Sequence, residues 1–323
     1  MLTNLHNEVL HYLTHINVSL YRAKILIGLS GGKDSLCLLK ILKDLTPLYK
    51  WHISVVHCDH NWREDSLKNV ERVYNWTTKG TFTLYLANNQ SLLTTEDKTR
   101  SWRYYLFLTI AVKFDYSLLF TAHNLNDKVE TVIYNLFRGT GIDGLTTLSY
   151  PKQVSSNITI CRPLITLTAD DILAFCRYYY LPVWSDITNF NLYHKRNRLR
   201  QDVIPYIKKF FNPKLIISLS NISNLLELQM NYIYHRAYEI YVKIKHPSYI
   251  GINIIQYSNL HKIMQITIIK IMLKQLTLSL GFEMYINKLR IYFSERTYQN
   301  NIIYIDKIAF VKKNIYIYIA RNI

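Results

Sequence analysis

The run Ser30-Gly31-Gly32-Lys33-Asp34-Ser35 stands directly behind a short apolar stretch, Lys24 to Leu29, and opens a helical pattern, Ser35 to Leu45. Two adjacent glycines let a backbone turn tightly and approach an anion closely. The N–H groups exposed there, backed by a helix N-terminus, supply positive potential, and the hydroxyls of Ser30 and Ser35 add donors. That chemistry is a phosphate cradle. It is not the G-x-x-x-x-G-K-S/T pattern, because Lys33 is followed by Asp34 and no glycine stands five positions before Gly32. A bare Gly-Gly turn at a helix start is the plainer alternative.

A second constellation lies in Ala122-His123-Asn124-Leu125-Asn126-Asp127-Lys128-Val129-Glu130-Thr131. Asp127 and Glu130 are three apart at an expected helix start, so both face the same way. The helix N-terminus favours their charged forms. A carboxylate pair at the C-terminal edge of a parallel sheet suits a substrate ammonium, although the same acids would also serve as helix caps. His194, Lys195, Arg196, Arg198 and Arg200 form a basic cluster fit for nucleic-acid phosphates, or for a solvated helix face. Taken alone, Arg103 reads as readily as a surface arginine on an amphipathic helix. His57 reads as readily as a structural histidine. Tyr178, Tyr179 and Tyr180 are expected to pack, as are Cys161 and Cys176.

Elements that could hold these residues recur along the first half. Strand candidates are Lys24–Leu29, Trp51–His57, Thr81–Ala87 and Tyr116–His123. Their starts fall about 30 residues apart with helical patterns between, which is βαβ spacing. The expected fold is α/β, a parallel sheet flanked by helices. Gly139, Gly141 and Gly144 mark a loop, and Thr168 with Asp171 three residues on reads as a helix cap. Residues 1–212 are expected to form the catalytic domain. Residues 213–323 read as a helical linker and a smaller, mainly helical domain. Its expected helices are Leu215–Tyr241, His261–Leu280 and Met284–Ser294, and it closes on a β-hairpin of residues 301–306 and 314–320.

Composition narrows the partners. The chain has 323 residues and a net charge of +17, which favours a polyanion, nucleic acid before membrane. The alternative is a compositional bias: Tyr is abundant at 27, Gly scarce at 9, as AT-rich coding produces. Hydrophobic residues at 49% exclude a disordered chain. The four cysteines include no C-x-x-C pair, which argues against a zinc site, an iron–sulfur cluster or a disulfide scaffold. No apolar run is long enough to span a bilayer, because His261, Lys262, Lys270 and Lys274 interrupt the most apolar region. The N-terminal stretch reads as an ordinary amphipathic helix rather than a signal.

The Ser-Gly-Gly-x-Asp-Ser run resembles the pyrophosphate loop of the N-type ATP pyrophosphatases, whose fold is adenine nucleotide α-hydrolase-like. Further runs narrow the resemblance: His57-Cys-Asp-His60-Asn-Trp-Arg63, Arg100-Ser-Trp-Arg103-Tyr104, His123 to Thr131, Arg138-Gly139-Thr140-Gly141, Arg162-Pro163-Leu164, Asp186-x-Thr188-Asn189 and Arg196-Asn197-x-Leu199-Arg200. Together they resemble the tRNA(Ile)-lysidine synthases over roughly residues 22–205, with Asn124, Asn126 and Lys128 where that family has His, Asp and Gln. The resemblance implies ATP-dependent attachment of lysine to C2 of the wobble cytidine of tRNA(Ile) with a CAU anticodon, through an adenylylated cytidine, with release of AMP and pyrophosphate. It implies ATP on Ser30, Gly31, Gly32, Lys33, Asp34 and Ser35, with Mg²⁺ as counter-ion. It implies lysine on Asp127 and Glu130, Arg103 near the reaction centre, and substrate contacts from His60, Arg63, His123, Arg138, Arg196, Arg198 and Arg200. The partners are then tRNA(Ile) and L-lysine, with tRNA also gripped by the C-terminal domain, and no membrane. A tRNA thiolase of the same superfamily would want a C-x-x-C pair, and an RNA-binding protein without catalysis would not need Asp127 and Glu130. The Ile, Asn, Lys and Tyr bias fits a soluble protein of the plastid stroma or a bacterial cytoplasm.

Overall fold

A computed structural model of the chain describes all residues except 1, 17–19, 60–65, 81, 89–95, 147, 149–150, 156, 185–194, 277–285, 295–301, 306–307 and 322–323. In chain order the elements are α1 (Asn4–Thr14), β1 (Lys24–Gly28), α2 (Lys33–Tyr49), β2 (His52–Asp59), α3 (Ser66–Lys79), β3 (Thr83–Asn88), α4 (Glu96–Lys113), β4 (Leu118–Phe120) and α5 (Leu125–Phe137). There follow α6 (Ile142–Leu145), β5 (Lys152–Gln153), β6 (Thr159–Cys161), α7 (Ala169–Tyr178), α8 (Lys195–Arg198), a π-helical turn (Leu199–Val203) and α9 (Ile204–Phe210). The rest is α10 (Leu215–Ile244), β7 (Gly251–Asn253), α11 (Ile254–Ser258), α12 (Lys262–Gln275), α13 (Ile286–Ser294), β8 (Ile302–Ile305), β9 (Ile308–Lys313) and β10 (Tyr316–Arg321).

The first sheet runs β3-β2-β1-β4-β6-β5, parallel throughout except at β5. Strand β1 is central and buried on both faces, as the Ile25-Leu26-Ile27 run requires. Ile25 and Ile27 face a core with α1, α2 and α7, whereas Leu26 joins Val56, Leu119, Phe107 and Ala111 on the other side. From β1 the chain builds outward to β2 and β3, then returns to place β4 on the other side of β1. The crevice between the ends of β1 and β4 is therefore a topological switch point, where open α/β sheets bind ligands.

The chain divides into two compact units, Met1–Thr140 with Gly144–Ser223, and Gly141–Asp143 with Asn224–Ile323. The division falls inside α10, after Ser223 rather than after Asn212. Leu215, Ile216 and Leu219 bury themselves with Leu125, Val129, Ile133, Leu199 and Ile204, and so belong to the first unit's core. The second unit has its own core, built from α12, α13 and an antiparallel sheet in the order β7-β10-β9-β8. The two segments expected to pair as a hairpin, β8 and β10, both pair with β9 instead. Ile-Ala-Phe-Val-Lys-Lys in β9 lacks strict alternation because Ile308, Ala309, Phe310 and Lys312 are all buried. No described helix is long and apolar enough to cross a membrane.

Candidate active site

The loop after β1 turns at Gly31, whose φ of +83° belongs to the left-handed region. A Cβ there would lie 2.5 Å from Asn69 Oδ1 on α3, so glycine also lets α3 close on the loop. Gly32 differs. Its φ is −74°, open to any residue, and a Cβ would meet only Ser30 Oγ at 3.4 Å. None of the described residues demands glycine at 32; the close approach of a ligand would. Gly32 is the N-cap of α2 and offers no side-chain cap, which leaves the first N–H groups of a seventeen-residue helix turned toward the crevice. Internal hydrogen bonds hold the loop: Ser35 Oγ donates to the Gly32 carbonyl at 3.0 Å and lies 3.2 Å from Ser30 Oγ. The Trp184 N–H donates to the Gly31 carbonyl at 3.0 Å. Lys33 Nζ reaches the Ala169 carbonyl at 3.1 Å, tying the loop to the start of α7.

The carboxylates belong to the same site. Asn124 Nδ2 donates to Asp34 Oδ1 at 2.9 Å, while Asn124 Oδ1 accepts the Asp127 N–H at 3.0 Å. Asp127 Oδ2 accepts the Asn124 N–H at 3.0 Å, completing a capping box at the start of α5. One turn on, buried Glu130 projects beside Asp127. Both receive Arg200: Nε to Glu130 Oε1 at 2.7 Å, Nη2 to Glu130 Oε2 at 2.8 Å, and Nη2 to Asp127 Oδ1 at 3.1 Å. Arg200, expected on tRNA phosphate, is thus engaged by the carboxylate pair while its side chain stays 45% exposed. The π-helical turn at Leu199–Val203 carries it, an irregularity the sequence did not signal and one common at functional sites.

Burial pushes Asp127 up to about 6, with the Glu130 and Asp34 carboxylates adding to the rise against the pull of the Asn124 amide and Arg200. The helix N-terminus favours the charged form, but desolvation outweighs it and lifts the carboxyl, which nevertheless stays mostly ionised at pH 7. A second, basic pole surrounds His123, the residue before Asn124. Burial, with Arg162, Arg100, Arg103 and Arg196, holds His123 down at about 3, so its ring is neutral near pH 7. Its Nδ1 lies 3.0 Å from Thr121 Oγ1. Arg162 is buried, and its Nε has no hydrogen-bond partner among the described residues. Arg138 and Arg196 flank the Tyr134 ring at 5.4 and 5.7 Å, and Arg198 is exposed on α8.

Residues 2–207 match the model of the PP-loop domain family. The chloroplastic tRNA(Ile)-lysidine synthase of Pyropia yezoensis is 36% identical over 267 residues, 83% of this chain and 81% of that protein. The tRNA(Ile)-lysidine synthase of Nostoc sp. is 36% identical over 238 residues, 74% of this chain and 70% of that protein. The chain belongs to the tRNA(Ile)-lysidine synthase family. Among solved structures, the U34-tRNA thiolase of Methanococcus maripaludis shares the fold, with a TM-score of 0.57, 16% identity and coverage of 69% of this chain and 78% of that one.

Set against the tRNA(Ile)-lysidine synthase pattern, the departures at 124 and 126 have structural work here. Asn124 links the phosphate loop to α5, and Asn126 Oδ1 accepts the Ala169 N–H at 3.0 Å, capping α7 from a neighbouring element. Lys128 is buried. His60, Arg63, Asp186, Thr188, Asn189 and His194 lie outside the described residues. His57 is structural: it is buried and its Nδ1 lies 2.7 Å from the Leu29 carbonyl. Cys161 and Cys176 are core residues, and Thr168 and Asp171 form the expected capping box. Of the tyrosine triplet Tyr179 packs against Phe175 and under Lys40, Tyr178 meets the Tyr179 ring edge-on but is exposed, and Tyr180 is exposed. Arg162 and Arg100 sat in the quoted motifs without an assigned role. Their approach to His123 comes from separate elements and has no local signal.

Proposed function

We infer that this protein is a tRNA(Ile)-lysidine synthase that uses ATP to attach lysine to C2 of the wobble cytidine of tRNA(Ile) with a CAU anticodon. The observation that carries the assignment of roles is the unbroken hydrogen-bonded chain from Asp34 in the phosphate loop through Asn124 to Asp127, and through Arg200 to Glu130. Nucleotide and amine sites are thereby one site.

The triphosphate lies on residues 30–35, with its leaving pyrophosphate toward the N–H groups at the start of α2. Mg²⁺ accompanies the ATP phosphates. Asp34, the one carboxylate of residues 30–35, would hold the ion there, and the ion would shield the phosphate charge. The cytidine leaves its stack, and its O2 attacks the α-phosphorus as the bond to pyrophosphate breaks. The four arginines around His123 supply positive charge for the adenylyl phosphate and the RNA backbone.

Lysine's ε-ammonium docks on the acidic pole. Asp34, Asp127 and Glu130 carry three negative charges against Lys33 and Arg200, an excess of one that a single ammonium neutralises. Each carboxylate oxygen retains lone pairs beyond those Arg200 occupies. The amine attacks only when neutral. Asp127, with its carboxyl raised to about 6, is the group suited to take that proton. The amine then forms the bond to C2, the C2–O bond breaks and AMP leaves. Arg103 acts with the basic pole, and residues 224–323 serve tRNA recognition as a separate unit.

Burial raises the Cys58 and Cys161 thiols to about 12, far from thiolate at neutral pH, whereas Cys176, lowered by its contact with Cys37, is buried in the core. Chloroplastic and cyanobacterial relatives support a plastid stroma or bacterial cytoplasm as the setting. The test is pyrophosphate release from ATP in the presence and absence of each substrate. Release should need the tRNA(Ile) transcript, and lysidine should form only when lysine is added. Turnover that ignored tRNA would overturn the reading.

A further inference from the structure

Helix α9 shows two unlike faces. Ile204 and Ile207 point inward to the core that Leu125, Val129 and Ile133 of α5 share with Leu215 and Ile216. The helix is thus fixed to the element that carries Asp127 and Glu130. Its outer side bears Tyr206 and Phe210, one turn apart, and Phe211 follows at the C-cap. These rings are 58%, 61% and 74% exposed. Tyr206 meets both of the others, its ring centroid 4.8 Å from that of Phe210 and 6.1 Å from that of Phe211. A lone exposed aromatic needs no explanation, but three in contact form a continuous π surface.

Charge selects the occupant. Lys209 Nζ stands 5.1 Å from the Phe210 centroid, Lys208 and Lys214 are near in sequence, and no Asp or Glu occurs between Asp202 and Glu227. Protein interfaces deplete lysine, whereas sites for single-stranded nucleic acid combine stacking aromatics with a cationic margin. The position also fits. Residues 195–210 form one continuous helical run, broken in regularity only by the π-helical turn. Phe210 lies ten residues beyond Arg200, or about 15 Å along the run. A strand whose reactive base sits at the carboxylates passes close to the rings.

We propose that Tyr206, Phe210 and Phe211 are a stacking platform for unpaired bases of the RNA substrate. The proposal rests on the tRNA-modifying reading above and adds the surface that grips the RNA beside the reactive nucleotide.

The experiment uses the full chain, a tRNA(Ile) transcript with the CAU anticodon, and two double variants, Phe210→Ala with Phe211→Ala and Phe210→Leu with Phe211→Leu. A stacked base accounts for roughly fivefold to a hundredfold in affinity. Both variants should therefore bind tRNA at least fivefold more weakly, since leucine keeps apolar area but lacks a π face. ATP affinity and the thermal midpoint should stay within error of the wild type. Lys209→Gln should instead lower the slope of log Kd against log salt by about one. Unchanged tRNA affinity in both double variants overturns the platform. So does unchanged RNA affinity with a shift in sedimentation, which would make the rings a contact between copies of the chain. A wild-type protein that binds no tRNA would sink the functional reading itself. A wild type that binds and modifies tRNA beside indifferent variants would sink the platform alone.

Discussion

Replacing Asp127 by Asn should make the protein more stable at neutral pH while disabling it. The folded protein raises this carboxyl from 3.8 to about 6. Each unit is worth about 1.4 kcal/mol, so ionised Asp127 costs the native state up to roughly 3 kcal/mol relative to its neutral form. The sign follows from linkage. Below the unfolded value both states are protonated and there is no cost. Between pH 4 and pH 6 the unfolded chain ionises first, stability falls, and above the folded value the loss is complete. Asparagine keeps the shape and an oxygen for the Asn124 N–H, and it stays neutral. Asp127 remains 27% exposed, so water screens part of the cost, and the gain for Asp127→Asn at pH 7.5 should be about 1–3 kcal/mol. Near pH 5 it should be about half as large. Urea unfolding of both proteins at the two pH values, followed by tryptophan fluorescence, measures this directly. Lysine-dependent turnover should drop tenfold or more in the same preparation. An Asn variant less stable than wild type at pH 7.5, or a gap that ignores pH, would refute the claim that desolvation dominates at this residue.

The two loop glycines should fail differently. Gly31→Val meets Asn69 and an unfavourable φ, so both the thermal midpoint and ATP turnover should fall, whereas Gly32→Ala should keep its midpoint and lose tenfold or more in ATP affinity, measured by calorimetry. Glu130→Gln removes one partner of the bidentate Arg200 pair, and the lysine KM should rise at least tenfold with ATP affinity little changed; a change in ATP affinity alone would move Glu130 to the nucleotide. A fragment ending at Ser223 should fold and bind ATP with weakened, salt-dependent tRNA affinity. One ending at Asn212, stripped of Leu215, Ile216 and Leu219, should melt several degrees lower by calorimetry.

The sequence by itself determined the parts whose physics is local. An apolar run followed by Ser-Gly-Gly-Lys-Asp-Ser can only be a strand, a tight turn and a helix start. Apolar runs at βαβ spacing dictate a parallel sheet, because hairpins cannot join parallel strands. Asp127 and Glu130 share a face through helical periodicity alone. Tertiary structure decided what depends on residues distant in the chain. Asn124 meets Asp34 across ninety positions of sequence, and Arg200 meets Glu130 across seventy. No local pattern encodes either contact. The raised carboxyl of Asp127 was not legible in the sequence for the same reason: the dipole of its helix is local, whereas its desolvation comes from everything packed around it. Arg200 looked like a surface cation because a solvated face and an acid-paired one have the same composition, and only the π-helical turn, held by Leu199 and Ile204 in the core, rotates it onto the acids. Of the last strands β8 and β10 were legible and β9 was not, because burial of Ile308, Ala309, Phe310 and Lys312 breaks its alternation, and it is β9 that pairs with both.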